Sequence, residues 1–174
     1  MPIERDFPVY SKLTGKEIVD MPEKRKRRKV AVSEESSALT AVKPVKVTQH
    51  KLRQLALQTL FVMTLQPDTP KERALAFALD GAALSNPELT EALVEGVLEN
   101  LSALDAQISD SLSENWTLAR LTTVDKTILR LGVYEVTKME TPSKVALDEA
   151  INLAHDFSDD AAATLINGVL NQFL

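Results

Sequence analysis

From Thr48 to the end of the chain, apolar residues return every three or four positions. That spacing puts them on one face of a helix. Leu52, Leu55, Ala56, Leu60 and Met63 form one stripe, and Leu57, Phe61 and Leu65 form a second beside it. A helix apolar over more than half its circumference belongs at the centre of a bundle, and Pro67 stops it. A weaker helical segment follows from Lys71 to Leu79. Asn86-Pro87 then offers a cap and a first-turn proline. Beyond it, Leu89, Leu93, Val97, Leu101, Leu104, Ile108 and Leu112 predict one continuous face of about seven turns.

Thr122 or Thr123 can cap the next helix, whose apolar positions include Val124, Ile128, Leu131 and Tyr134 to Val136, and which ends before Pro142. Ser143 to Phe157 reads as a further helix, with Ala146, Ala150, Leu153 and Phe157 on one face. Asp159 or Asp160 caps the last, which carries Leu165, Ile166, Val169, Leu170 and Phe173. No segment combines strand alternation with hairpin chemistry. The expected architecture is an all-α helical bundle.

Residues 1–46 break the pattern. Pro2, Pro8, Pro22 and Pro44 and the stretch SEESS interrupt any period, so this part is expected to be a mostly disordered extension ahead of a domain at 47–174. Charge divides at the same place. Residues 1–46 hold eleven Lys/Arg against seven Asp/Glu, and residues 47–174 hold nine against eighteen. The overall net charge of −5 therefore averages a basic arm and an acidic body. The arm's centre is the run Lys24, Arg25, Lys26, Arg27, Arg28, Lys29. By itself such a run fits nuclear import, a membrane surface or RNA.

The chain has no cysteine and two histidines, His50 and His155, which disfavours disulfide, thiolate and zinc chemistry; no metal or other cofactor is expected. Nucleotide-loop, zinc-protease and serine-hydrolase motifs are missing. Asp148 and Glu149 diverge by about 100° on a helix and make no acid–base pair. Asp159-Asp160 sits at a helix start, where carboxylates cap, and His155 lies near a helix end that favours a cation. An enzyme is not expected. With no signal-like segment and no long apolar run, a cytoplasmic protein is. Gly96, Gly132 and Gly168 lie inside predicted helices, where glycine costs about 0.8–1 kcal/mol relative to alanine. Close helix crossings would compensate.

One segment suggests binding. Between Ser36 and Pro67 there is no Asp or Glu, so Lys51 and Arg53 lack a carboxylate one turn away. His50, Lys51 and Arg53 in a first turn also oppose the helix dipole, a conflict that a bound phosphate would relieve. A nucleic-acid backbone is the natural polyanion. The rival reading lays the Lys51 and Arg53 stems over the bundle.

The segment TTVDKTILRLGVYEV, followed by TPSKVALDEAINLAHDF and LINGVLNQFL, resembles the C-terminal half of the NusB family of bacterial transcription antitermination factors. Trp116, Leu118, Arg120, Leu121, Val124, Asp125, Ile128 to Leu131, Tyr134 and Glu135 follow the family's first motif in order and spacing. Pro142, Lys144 to Ala146, Glu149, Ala150, Leu153, Ala154 and Phe157 follow the second, and Asn167 to Leu170 the third. KLRQLALQTLF is similar to the family's basic opening through Lys51, Arg53, Ala56, Leu57, Gln58, Leu60 and Phe61. The resemblance spans about 47–174 and leaves the arm outside.

It implies two small packed helical subdomains without catalysis. It also implies binding of single-stranded boxA-type nascent RNA jointly with a small-subunit ribosomal protein (NusE), within an RNA polymerase antitermination complex that reads through terminators, notably in ribosomal RNA operons. RNA contact would fall at His50, Lys51 and Arg53, and partner contact at Asp125, which a helix-start role explains equally well. The sequence departs from the family in a less Arg-rich opening, in Asp148 for Asn, in Ser158 for Gly and in Leu165 for a base-stacking Phe. Weaker RNA binding by the body is expected, with Lys24 to Lys29 supplying cations. The alternative is a protein-only adaptor with little RNA affinity of its own.

Overall fold

Three hydroxyl or carboxylate side chains start helices by accepting a free backbone amide. Thr48 Oγ1 accepts from Lys51 N, Thr122 Oγ1 from Asp125 N and Asp159 Oδ1 from Ala162 N. The computed structural model describes residues 47–79 and 87–174; the arm, its Lys24 to Lys29 run and Asn86 lie outside the described residues. In chain order the helices are α1 (Gln49–Leu65), α2 (Lys71–Leu79), α3 (Glu88–Glu99), α4 (Leu101–Ser111), α5 (Thr123–Lys138), α6 (Ser143–Phe157) and α7 (Asp160–Leu170). Short 3-10 helices occupy Leu118–Arg120 and Asn171–Phe173, and no strand occurs among the described residues. The all-α expectation is borne out.

α1 packs on α2, α3, α5 and α6, and α5 packs on α1, α3, α4, α6 and α7. Two sets of helices, α1–α3 and α4–α7, thus meet across α5. One apolar core joins them. Leu60, Leu93, Val97, Leu104, Ile108, Ile128, Leu129, Ile166 and Leu170 belong to it. Each such side chain contributes about 1.5–3 kcal/mol by leaving water.

The sequence pattern differs from the structure at three points. The face predicted to run unbroken from Leu89 to Leu112 is divided at Asn100, whose side-chain amide donates to the Gly96 carbonyl at 2.8 Å beside the backbone bond to the same oxygen. The shared carbonyl ends α3, α4 starts afresh, and Leu101 is left exposed. Phe157, expected on the core face of α6, is 37% exposed at the helix end. Leu65 is exposed in the last turn of α1.

The glycines also separate. A Cβ on Gly96 would overlap the Tyr134 ring, and one on Gly132 would lie 2.8 Å from Leu170 Cδ1. Both mark close crossings with α5. A Cβ on Gly168 would meet nothing within 4 Å, so close packing does not account for that glycine.

Buried polar groups are satisfied internally. Thr90 Oγ1 donates across to the Leu52 carbonyl at 2.9 Å, tying α3 to α1, while Thr59 and Thr127 donate to carbonyls one turn back. Among the described residues, no buried side-chain polar atom lacks a partner. None of the described helices is long and apolar enough to cross a membrane.

Candidate nucleic-acid interface

The first turn of α1 presents His50, Lys51 and Arg53 in three environments. Successive residues point about 100° apart on a helix, so neighbours in sequence face different surroundings.

Arg53 turns inward. Only 5% of it is exposed, and its Nε donates to Glu135 Oε2 at 2.9 Å while Nη2 binds the other Glu135 oxygen. Nη1 lies 3.8 Å from Glu149 Oε2. Burial works against the guanidinium charge, but the hydrogen bonds and charges of Glu135 and Glu149 outweigh it and hold the pKa above its ordinary value. The pair locks α1 to α5 across 82 positions of sequence.

His50 sits half-buried between α1 and α6. Nδ1 lies 2.9 Å from Glu149 Oε2 and Nε2 lies 2.8 Å from Asp156 Oδ2. Only the imidazolium can donate to both. Burial opposes that charge; the bonds to Asp156 and Glu149 and their negative charge prevail, so the pKa is raised. Asp156 also accepts from Gln54 Nε2 at 2.7 Å, and its pKa is lowered by the bonds from His50 and then Gln54.

Lys51 is exposed, with no ion-pair partner among the described residues. Of the three cations it alone keeps its charge for a ligand. The local carboxylates missing from the sequence around α1 are supplied by tertiary structure, from α5 and α6. Glu149 and Asp156 were legible as partners in one respect: seven residues apart, they share a face of α6.

Asp125 is 7% exposed at the start of α5. Thr122 Oγ1 donates to its Oδ2 and Ser158 Oγ to its Oδ1, each at 2.7 Å. The departure from Gly to Ser at 158 therefore has a structural use, since it joins the end of α6 to the start of α5. On α5, Arg130 and Glu135 do not pair with each other. Arg130 Nε and Nη2 donate to the two Asp105 oxygens on α4 at 2.7 and 2.8 Å, while Glu135 faces Arg53.

Among the described residues, no cluster of His, Asp or Glu is arranged to hold a metal ion. Among the described residues, seven α-helices form a bundle whose basic first helix is locked to the fifth and sixth, which defines an all-α helical-bundle class. The NusB family model matches residues 50–174, and the chain belongs to the NusB family. A crystal structure of T. maritima NusB is 30% identical, with a TM-score of 0.66 over 74% of this chain and 92% of that one. A crystal structure of the antitermination factors NusB and NusE with double-stranded RNA has 22% identity and a TM-score of 0.63, covering 71% of this chain and 93% of that one. The solution structure of NusB from Aquifex aeolicus has 21% identity and a TM-score of 0.60, covering 72% and 88%. At those identities the last two speak to fold alone.

Proposed function

We infer that this chain is a transcription antitermination factor that binds boxA-type nascent RNA jointly with a small-subunit ribosomal protein of the NusE kind, as part of an RNA polymerase read-through complex on ribosomal RNA operons. The observation that carries this reading is family membership over residues 50–174. A NusB of the same fold has been crystallised with NusE and double-stranded RNA, and this reading carries a protein and an RNA partner over from it.

In this reading Lys51 takes a phosphate at the opening of α1, with His50 at the rim of the contact. Arg53 acts as a positioning residue that fixes α1 through Glu135. Lys24, Arg25, Lys26, Arg27, Arg28 and Lys29 add affinity without base choice, because phosphate contacts carry no sequence information. The partner meets the first turn of α5 around Asp125, whose own carboxylate is engaged by Thr122 and Ser158.

One observation favours a second reading. His50 and Arg53 already face Asp156, Glu149 and Glu135, which leaves Lys51 as the unpaired cation at the opening of α1 among the described residues and suits a protein-only adaptor.

Titration of labelled boxA-like and scrambled single strands over a range of salt, with and without the ribosomal protein, separates the two. The antitermination reading expects tighter binding to boxA-like RNA with the protein present. It also expects Lys51→Ala to reduce the salt slope by about 0.7 for the lost phosphate contact. RNA binding that is absent under all conditions, with the ribosomal protein still bound, establishes the adaptor.

A further inference from the structure

The connection from α4 to α5 carries an exposed aromatic residue stacked with a cation. Trp116 is 42% exposed, and the Arg120 guanidinium lies over its ring, 5.8 Å from the centroid. Local bonds hold both in place. Trp116 N donates to the Ser113 carbonyl at 2.8 Å, Arg120 N to the Thr117 carbonyl at 2.9 Å, and Arg120 Nη1 to the Asn115 carbonyl at 2.7 Å. Arg120 enters no ion pair among the described residues, so its charge is not neutralised.

This pair lies at the same end of the bundle as the opening of α1, along a short chain of contacts. Thr122, two residues after Arg120, bonds Asp125; Asp125 bonds Ser158; and Asp156, two residues before Ser158, bonds His50. Two residues of chain span at most about 7 Å. Between Asp156 and Ser158 stands Phe157, whose ring is 37% exposed.

We propose that Trp116 and Arg120 form a base-stacking platform for a single-stranded RNA whose backbone passes Lys51 and crosses the last turn of α6. This rests on the RNA-binding reading above. Aromatic rings and guanidinium planes both accept an unstacked base, and an arginine over the ring adds cation–π attraction. The need for such a platform follows from charge. Residues 47–174 carry nine basic against eighteen acidic side chains, and the cations of α1 other than Lys51 are paired. Phosphate attraction to the body is correspondingly small, whereas stacking does not depend on neutralising phosphates.

Trp116 is the sole tryptophan, so its emission reports this place alone. The test is a titration of the full chain with an end-labelled single-stranded RNA, following label anisotropy and tryptophan emission together. Emission should be quenched in step with binding. Trp116→Ala should weaken binding by about tenfold or more, at an unchanged salt slope. Trp116→Phe should retain most of the affinity, and Arg120→Gln should lose part of it.

Binding with unquenched emission and full affinity in Trp116→Ala overturns the platform and leaves the RNA reading standing. No binding by anisotropy, with the ribosomal protein present as well as without it, overturns both. Should Trp116→Ala lose helical circular dichroism, quenching in the unaltered chain and the affinity of Arg120→Gln decide: both responses sustain the platform, and the absence of both removes it.

Discussion

The Arg53 guanidinium and the Glu135 carboxylate meet inside the bundle, where both side chains are almost wholly shielded from water. Taking two charges out of water is costly, and only their mutual bonds make the arrangement tolerable.

Removing one partner leaves the other buried and uncompensated. Arg53→Ala and Glu135→Ala should each lower stability by about 3–5 kcal/mol, whereas the double change Arg53→Met with Glu135→Leu should recover most of the loss. Urea unfolding midpoints at constant m-value check this. A loss below about 1 kcal/mol in both single variants would contradict the buried pairing.

His50 makes stability depend on pH in a stated direction. Its folded pKa is raised above the unfolded value of about 6.5. Its contribution is therefore fully present below about pH 6.5 and is lost as pH rises through the folded value. Asp156 is lowered, so its contribution holds above about pH 3.9 and is lost as pH falls through its folded value. The clamp between α1 and α6 should be strongest between about pH 4 and 6.5. Unfolding midpoints across pH should show the alkaline decline in the unaltered chain and a flatter profile in His50→Gln, because His155 is common to both.

Gly96 and Gly168 should respond oppositely to alanine. At Gly96 the new methyl overlaps the Tyr134 ring, which must shift, and overpacking of this kind typically costs about 1–3 kcal/mol. At Gly168 there is open space and helix propensity alone acts, so Gly168→Ala should gain about 0.5–1 kcal/mol. Thermal melts of the two variants read the difference in sign.

Ser158→Gly restores the residue usual in the resembled family and removes the hydroxyl that donates to Asp125. A net loss of about 1 kcal/mol is expected from the missing bond. Thr122→Ala removes the cap of α5 and should cost about 0.5–2 kcal/mol. Urea unfolding of each variant and of the double variant also shows whether the two hydroxyls act together on one carboxylate.

The arm should act through charge alone. Replacing Lys24 to Lys29 by glutamine in the full chain should weaken boxA-like and scrambled RNA equally and flatten the salt dependence of binding. Unchanged affinity at low salt would remove the arm from the RNA contact.

Much of the fold is visible in the sequence because helix periodicity and capping are local. Thr48, Thr122 and Asp159 start helices for reasons contained within three residues, and Leu52, Leu55, Ala56 and Leu60 of α1, Ile128 and Leu131 of α5, and Ile166, Val169 and Leu170 of α7 are buried as their spacing predicts. The division at Asn100 was hidden because the apolar spacing continues through it, while a side-chain bond to Gly96 breaks the helix. The close approach of Tyr134 to Gly96 joins residues 38 positions apart, which no periodicity reveals.

At the binding face the difference is sharper. The sequence by itself determined that α1 begins with cations lacking local carboxylates, that the body is acidic and that the arm is basic, since charge and helical spacing are properties of the chain alone. Only the tertiary structure decided which cations remain available. It brings Glu135 to Arg53, and Glu149 and Asp156 to His50, and it leaves Lys51 exposed. The physical reason is that a charge taken into the interior must find its opposite there, and helix packing chooses the partner from elements remote in sequence.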